Sequence, residues 1–290
     1  MAPFDRVWTQ ITRVLEQTPP PEKSHHMAKF TRVIATGNIN LRLHTGAGHS
    51  WILLHGDSRD TSEVSWTVKD RVMRIDLGNG YPKHGRVEVE LGTRHLVAID
   101  YRGKGSITGK RLQSKQLDLS INNSGRTLLA GQLNLRHVDL GGSGTVHLKG
   151  GHNRHVQLNL HDSVRVKIVG VSNLEKVKMS GRSRLSVRWL KAHTFRIFLK
   201  DYARAQIAGT AKVAFINLRE HTHFNGRYLR ATEAFVKTYD DSEADIAVVK
   251  KQHTLASDRS DIYYYAAPEY RTDFMAESGS VLDMKAWEEY

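Results

Sequence analysis

Cysteine is absent from this 290-residue chain. That excludes disulfide staples, a thiol nucleophile and thiolate-bound zinc, and it tilts modestly towards an exported bacterial protein. No apolar run approaches the roughly 18 residues that a membrane-spanning helix needs. The opening residues, MAPFDRVWTQ, have neither a basic n-region nor an apolar h-region. The expectation is a cytosolic chain or one whose leader has been removed. No G-x-S-x-G elbow, Walker loop, dinucleotide fingerprint or H-E-x-x-H pair occurs. YRGKGSITG (101–109) is followed by a strand-like pattern, where a phosphate loop would open a helix. Hydrophobic content of 39% and a mean hydropathy of −0.47 suit a soluble globular chain, of one large all-β domain or two ordinary ones.

What is present is charge, unevenly placed. The formal net charge is +13. Residues 240–290 hold 12 acidic and 5 basic side chains, a net of −7, which leaves +20 on the preceding residues. A basic body attracts polyanions such as anionic polysaccharide, lipid headgroups or nucleic acid; the plain alternative is a solvated surface.

The second feature is a repeat. FDRVWTQITRVLEQ places Val7, Ile11, Val14 and Leu15 on one helical stripe with Asp5 as a cap, and Pro19 to Pro21 then break the helix. An amphipathic helix and linker are expected over 1–28. Residues 29–95 alternate apolar and polar side chains between turns such as Gly46-Ala47-Gly48 and Asn79-Gly80, the pattern of an antiparallel β cap region. From Leu96 apolar segments restart at 96, 117, 138, 156, 177, 195, 214, 234, 254 and 271. Rungs of about 17–21 residues mark a solenoid. Leucine-rich repeats have this length but require an Asn or Cys ladder and a helical return, and neither recurs. Each unit instead holds short β-like pieces around a tight turn: Gly103-Lys104-Gly105, Asn123-Ser124-Gly125, Gly142-Ser143-Gly144, Asp162-Ser163, Gly181-Arg182-Ser183, Asp241-Ser242, Asp258-Arg259-Ser260 and Ser278-Gly279-Ser280. Gly supplies positive φ, while Asp, Asn and Ser bond their own backbone. The fold class is therefore all-β: a parallel β-helix over 96–290, with Leu119, Ile121, Leu158, Leu160, Ile197 and Leu199 inward. The cap region would cover one open end, and DIYYYAAPEY with Trp287 the other.

This layout resembles the putative auto-transporter adhesin head GIN domain family of bacterial envelope proteins. FTRVIATGNINLRLHTG followed by WILLHGD matches the family opening, as do Leu96 to Gly109 and the Gly142-Ser143-Gly144 turn; DIYYYAAPEY and ESGSVLDM resemble its close. The resemblance covers roughly residues 29–285. It implies a right-handed coil, export to the envelope or beyond, and no established catalytic activity. The chain departs from the pattern in its basic body, its extra N-terminal helix and its loss of strict Gly-Ser-Gly turns. FNGRYLRATEAFVKT, QHTLASDRSDIYYY and DFMAESGSVLDM are also similar to a subgroup from Gram-negative intracellular pathogens, which implies secretion.

Three sets of side chains carry candidate chemistry. His221-Thr222-His223 puts two imidazoles on one strand face, with His253 or Glu220 as a third metal ligand, but the spacing matches no zinc signature and no metal or other cofactor is assigned. His147, His152, His155 and His161 could line up between rungs, as ligands or as a pH-sensitive surface. Corner carboxylates (Asp162, Asp201, Glu220, Asp241, Asp258, Glu277) read as turn caps, with acid–base work on a polysaccharide as the alternative. The binding candidates are basic and aromatic: Arg102, Lys104, Lys110 and Arg111, with Lys115, on one rung; Arg182, Arg184 and Arg188, with Lys191, three to four rungs on; then Arg227, Tyr228 and Arg230. Outward residues of successive rungs stack into ladders that suit a repetitive anionic polymer. No groove-reading element for nucleic acid is evident. The reading is a non-catalytic, secreted, periplasmic or outer-envelope module that binds an anionic glycan or a host surface ligand, adhesin-like or as a secreted effector. An envelope scaffold and a polysaccharide-acting enzyme are the alternatives.

Overall fold

The structure, a computed structural model, describes residues 25–150, 153–266 and 268–284. Most of the expected N-terminal helix and linker, and Trp287, lie outside them.

The described chain is nearly all strand. It opens with β1 (His25–Met27), β2 (Arg32–Gly37), β3 (Asn40–Thr45) and β4 (Ser50–His55), a single-turn helix α1 (Ser58–Thr61), β5 (Val64–Lys69), β6 (Val72–Leu77), β7 (Glu88–Thr93) and β8 (Ala98–Gly103). Then come β9 (Ile107–Asn123), β10 (Arg126–Gly141), β11 (Thr145–Lys149), β12 (Asn153–Leu160), β13 (Arg165–Met179), β14 (Arg184–Leu199), β15 (Arg204–Leu218), β16 (His223–Thr238) and β17 (Glu243–Ser257). β18 (Asp261–Tyr264), β19 (Tyr270–Glu277) and β20 (Ser280–Asp283) close the chain.

From β9 to β17 each strand of 15–17 residues, or the β11–β12 pair, is one turn of a coil stacked in parallel on the next. The coil has about nine turns. Register is held by aliphatic side chains directly above one another. Leu119, Val138, Leu158, Val177, Ile197, Ile216 and Val236 occupy one inward column, and each is at most 3% exposed. Removing such a column from water is the main stabilising term of the fold.

Two corners recur. At the first, the left-handed residue is Gly142, Asp162, Gly181, Asp201, Glu220, Asp240, Asp258 and Ser278 in turn, with φ between 58° and 84°. The expected caps at Asp162, Asp201, Glu220 and Asp258 sit there; at two turns the left-handed residue is Asp240 and Ser278, one position from the Asp241 and Glu277 read from sequence. The acids also tie rung to rung. Asp162 Oδ2 accepts the Gly142 N–H at 2.8 Å, Asp201 Oδ2 that of Gly181 at 2.7 Å, and Asp240 Oδ2 that of Glu220 at 3.0 Å. At the second corner positive φ falls on Arg111, Gly131, Gly150, Gly170, Trp189 and Gly209. A Cβ at Gly209 would lie 2.1 Å from the Leu190 carbonyl oxygen, so glycine is required there.

Residues 29–95 are mixed where antiparallel pairing was expected. β1–β4, β4–β7 and β5–β6 are antiparallel. β2, however, lies parallel to β6 and β8, and β3 parallel to β7 and β9. Alternation reports which face is buried and says nothing of the neighbour's direction. β2 and β3 thus already belong to the coil, and the remaining strands cover its first open edge.

Candidate functional site

Between the two corners, the first five residues of each turn form a flat parallel face. Alternate residues point out. One outward column reads Arg126, Thr145, Arg165, Arg184, Arg204, His223, Glu243, Asp261. The next reads Leu128, His147, Lys167, Ser186, Gln206, Asn225, Asp245. Successive members are about 4.8 Å apart. A groove of about 420 Å³ runs between the columns, lined by His147, Arg165, Lys167, Arg184, Arg204 and His223 among others. Among the described residues no carboxylate lines it.

Several arginines elsewhere have a carboxylate partner: Arg42 with Glu88 at 2.7 Å, Arg259 with Asp241 at 2.8 Å, Arg136 with Asp118. Among the described residues no such partner meets Arg126, Arg165, Arg184, Arg204 or Lys167. The field is legible at His147, whose basicity is pushed below the ordinary imidazole range by burial first, then by Arg126 and Lys167. One rung past Arg204 stands His223, and on the rung after it the sign reverses. His223 Nδ1 lies 3.3 Å from Glu243 and Nε2 3.5 Å from Asp245. The bond to Asp245 raises its pKa most, with Glu243 adding to it and burial opposing.

The groove continues around the second corner. A second depression of about 690 Å³ shares Ser186 and Gln206 with the first and adds Val171, Arg188, Trp189, Lys191, Thr210 and Tyr228. Trp189 is 68% exposed and Tyr228 67%. Among the described residues no carboxylate lines this depression either.

Of the binding residues named from sequence, Arg184, Arg188 and Tyr228 come together here, with Lys191. Arg230 stands in the Lys191–Thr210 column, one rung beyond. The others disperse. The Arg182 guanidinium lies over the Tyr202 ring at 5.7 Å on the first corner, and Arg227 over Tyr265 at 4.3 Å. Arg102 faces Asp100 at 3.8 Å on β8, Lys104 sits in the turn before β9, and Lys110 and Arg111 reach the second corner four turns before Trp189. Arg165, Lys167, Arg204 and Trp189 were missed. Their signal was present: an arginine follows the corner at 165, 184 and 204, at the interval of the repeat itself.

The histidines do not converge as read from sequence. His221 stacks on Tyr202 at 5.1 Å and faces Asp241 at 3.3 Å, while His253 lies on Phe235 at 4.4 Å on another face. The set that does meet is His223, Glu243 and Asp245, with candidate ligand atoms within 4.8 Å of one another. Both imidazole nitrogens already face a carboxylate there. His147 lines the groove, His155 approaches Glu175 at 3.5 Å beyond the second corner, and His161 bonds Asp162 at the first; His152 lies outside the described residues.

Residues 29–163 and 134–268 each match the family model described as "putative auto-transporter adhesin, head GIN domain". The chain belongs to this head GIN domain family. One domain model fits twice in overlapping windows because successive turns of the coil are interchangeable in pattern. Among solved structures, a putative adhesin from Parabacteroides merdae aligns with TM-score 0.57 at 14% identity, over 90% of this chain and 94% of that one. A putative adhesin from Parabacteroides distasonis aligns with TM-score 0.53 at 15% identity, over 90% and 95% respectively. At such identities the likeness shows the fold alone. No curated protein sequence matches the chain.

Proposed function

We propose that this head GIN domain is a non-catalytic, adhesin-like module, secreted or held at the bacterial envelope, whose groove between the outward columns holds an anionic polysaccharide. One observation carries the reading: Arg165, Arg184 and Arg204 stack on consecutive rungs with no carboxylate between them. Two like charges 4 Å apart repel by about 1 kcal/mol even in water, and more beside a protein surface. The repulsion does nothing for the fold. It is relieved when a negatively charged chain lies along the row, and the rung spacing is close to one sugar ring of an extended polymer.

The corner carboxylates support the non-catalytic side of the reading, because Asp162, Asp201 and Asp240 spend an oxygen each on a backbone N–H. The test is calorimetric binding of heparin oligosaccharides across a salt series, with dextran as the neutral control. The wild type should bind heparin at 50 mM salt, lose it near roughly 0.5 M, and ignore dextran. Replacing Arg165, Arg184 and Arg204 by Ala should flatten the slope of log affinity against log salt by about 2–3. An unchanged slope would place binding elsewhere on the basic body and remove the groove from the account.

A further inference from the structure

Trp189 adopts φ 71° at a corner where four of the six positive-φ residues are glycine. The left-handed region is unfavourable for a bulky L-residue, and such strain persists where the surrounding structure enforces it, often at functional sites. The strain gains no burial here, since the indole is 68% exposed. On the adjacent turns the positive-φ residues of this corner are Gly170 and Gly209, and the small side chains of Val171 and Ala208 line the same depression as the indole. Two rungs on, about 10 Å along the coil, Tyr228 offers a second exposed ring to the same depression. The same depression is lined by Ser186, Gln206 and Thr210, which can donate to and accept from hydroxyl groups, and by Arg188 and Lys191, which supply charge.

We propose that Trp189 and Tyr228 form a stacking platform for pyranose rings, so that the polyanion of this site is recognised as a carbohydrate and not by charge alone. The inference rests on the polyanion reading above and adds chemistry to it. A pyranose has an apolar face of C–H bonds that lies flat on an indole or phenol, and an equatorial rim of hydroxyls that a polar floor can bond. Continuity through Ser186 and Gln206 lets one chain place its charges on the arginine row and a ring on the platform. Single-stranded nucleic acid is the competing occupant, but it stacks successive bases on closely spaced aromatics. Here Ala208, Gly209 and Thr210 occupy the intervening rung.

The experiment compares a heparin octasaccharide, inorganic polyphosphate of similar charge and a short oligothymidylate on the whole chain. Trp189→Gly and Tyr228→Ala should each weaken heparin roughly three- to tenfold while leaving polyphosphate within about twofold. Glycine suits positive φ, so the first variant separates lost binding from lost folding. Heparin should also shift the tryptophan emission of the wild type and not of Trp189→Gly. Arg165→Ala with Arg184→Ala should weaken both polyanions. Heparin affinity that ignores Trp189 and Tyr228 overturns the platform and leaves the arginine groove standing. Equal losses for heparin and polyphosphate overturn it as well, as does tighter, Trp189-dependent binding of oligothymidylate. Failure of every polyanion to bind overturns both readings.

Discussion

His223 touches Glu243 with one ring nitrogen and Asp245 with the other, and Arg204 precedes it in the column. Its two carboxylate neighbours outweigh the burial that opposes them, so its folded pKa stands above the ordinary value near 6.5. The sign follows from linkage. A group that holds its proton more tightly when folded stabilises the fold fully below the unfolded pKa, and that contribution disappears as pH rises through the folded one. The thermal midpoint of the wild type should therefore exceed that of His223→Gln by more at pH 6 than at pH 8. A gap independent of pH would mean that the imidazole titrates alike in both states. The same proton sets where the cationic row ends. Charged, His223 satisfies Glu243 and Asp245; neutral, it leaves two carboxylates facing the last arginine.

At the level of the turn, the coil is closed by corners that combine a left-handed residue with a carboxylate reaching the rung before it. Asp201 has φ 63° and accepts the Gly181 N–H at 2.7 Å. Asp201→Ala removes the acceptor and places a residue that avoids this region, which should destabilise by about 2 kcal/mol. Asp201→Asn keeps an oxygen and tolerates the geometry, so it should stay within about 0.5 kcal/mol of the wild type. Urea midpoints measure both, and an Ala variant as stable as the Asn variant would reduce the carboxylate to decoration. These corners were legible in the sequence because Gly, Asp and Ser return at the period of the repeat, and Leu119, Leu158 and Ile197 announced the inward column through alternation. The offset at Asp240 was not legible, since Asp240-Asp241 offers two suitable turn residues. Nor was the direction of β2 and β3, which depends on partners more than 30 residues away. The site was half legible. An outward arginine can be read from one rung, but Arg165, Arg184 and Arg204 become a row only when the register is known.

Over the whole molecule the charge is polar along the coil axis. The outward column carries Arg126, Arg165, Arg184 and Arg204, then crosses His223 to Glu243 and Asp261. From Arg126 to Arg204 is four rung steps, or about 19 Å. A polyanion laid along the face gains with each added charge until it fills that length; the next unit meets carboxylates. Affinity for size-graded heparin oligosaccharides should thus climb steeply and then level off near that span, apart from the small statistical gain of extra registers. Glu243→Lys combined with Asp261→Lys should move the plateau to chains about 14 Å longer, because the cationic row then ends three rungs past Arg204. If affinity instead kept rising at the same rate for wild type and variant, the ligand would be held by the diffuse field of the basic body. The alignment of arginines on consecutive rungs would then have no part in recognition.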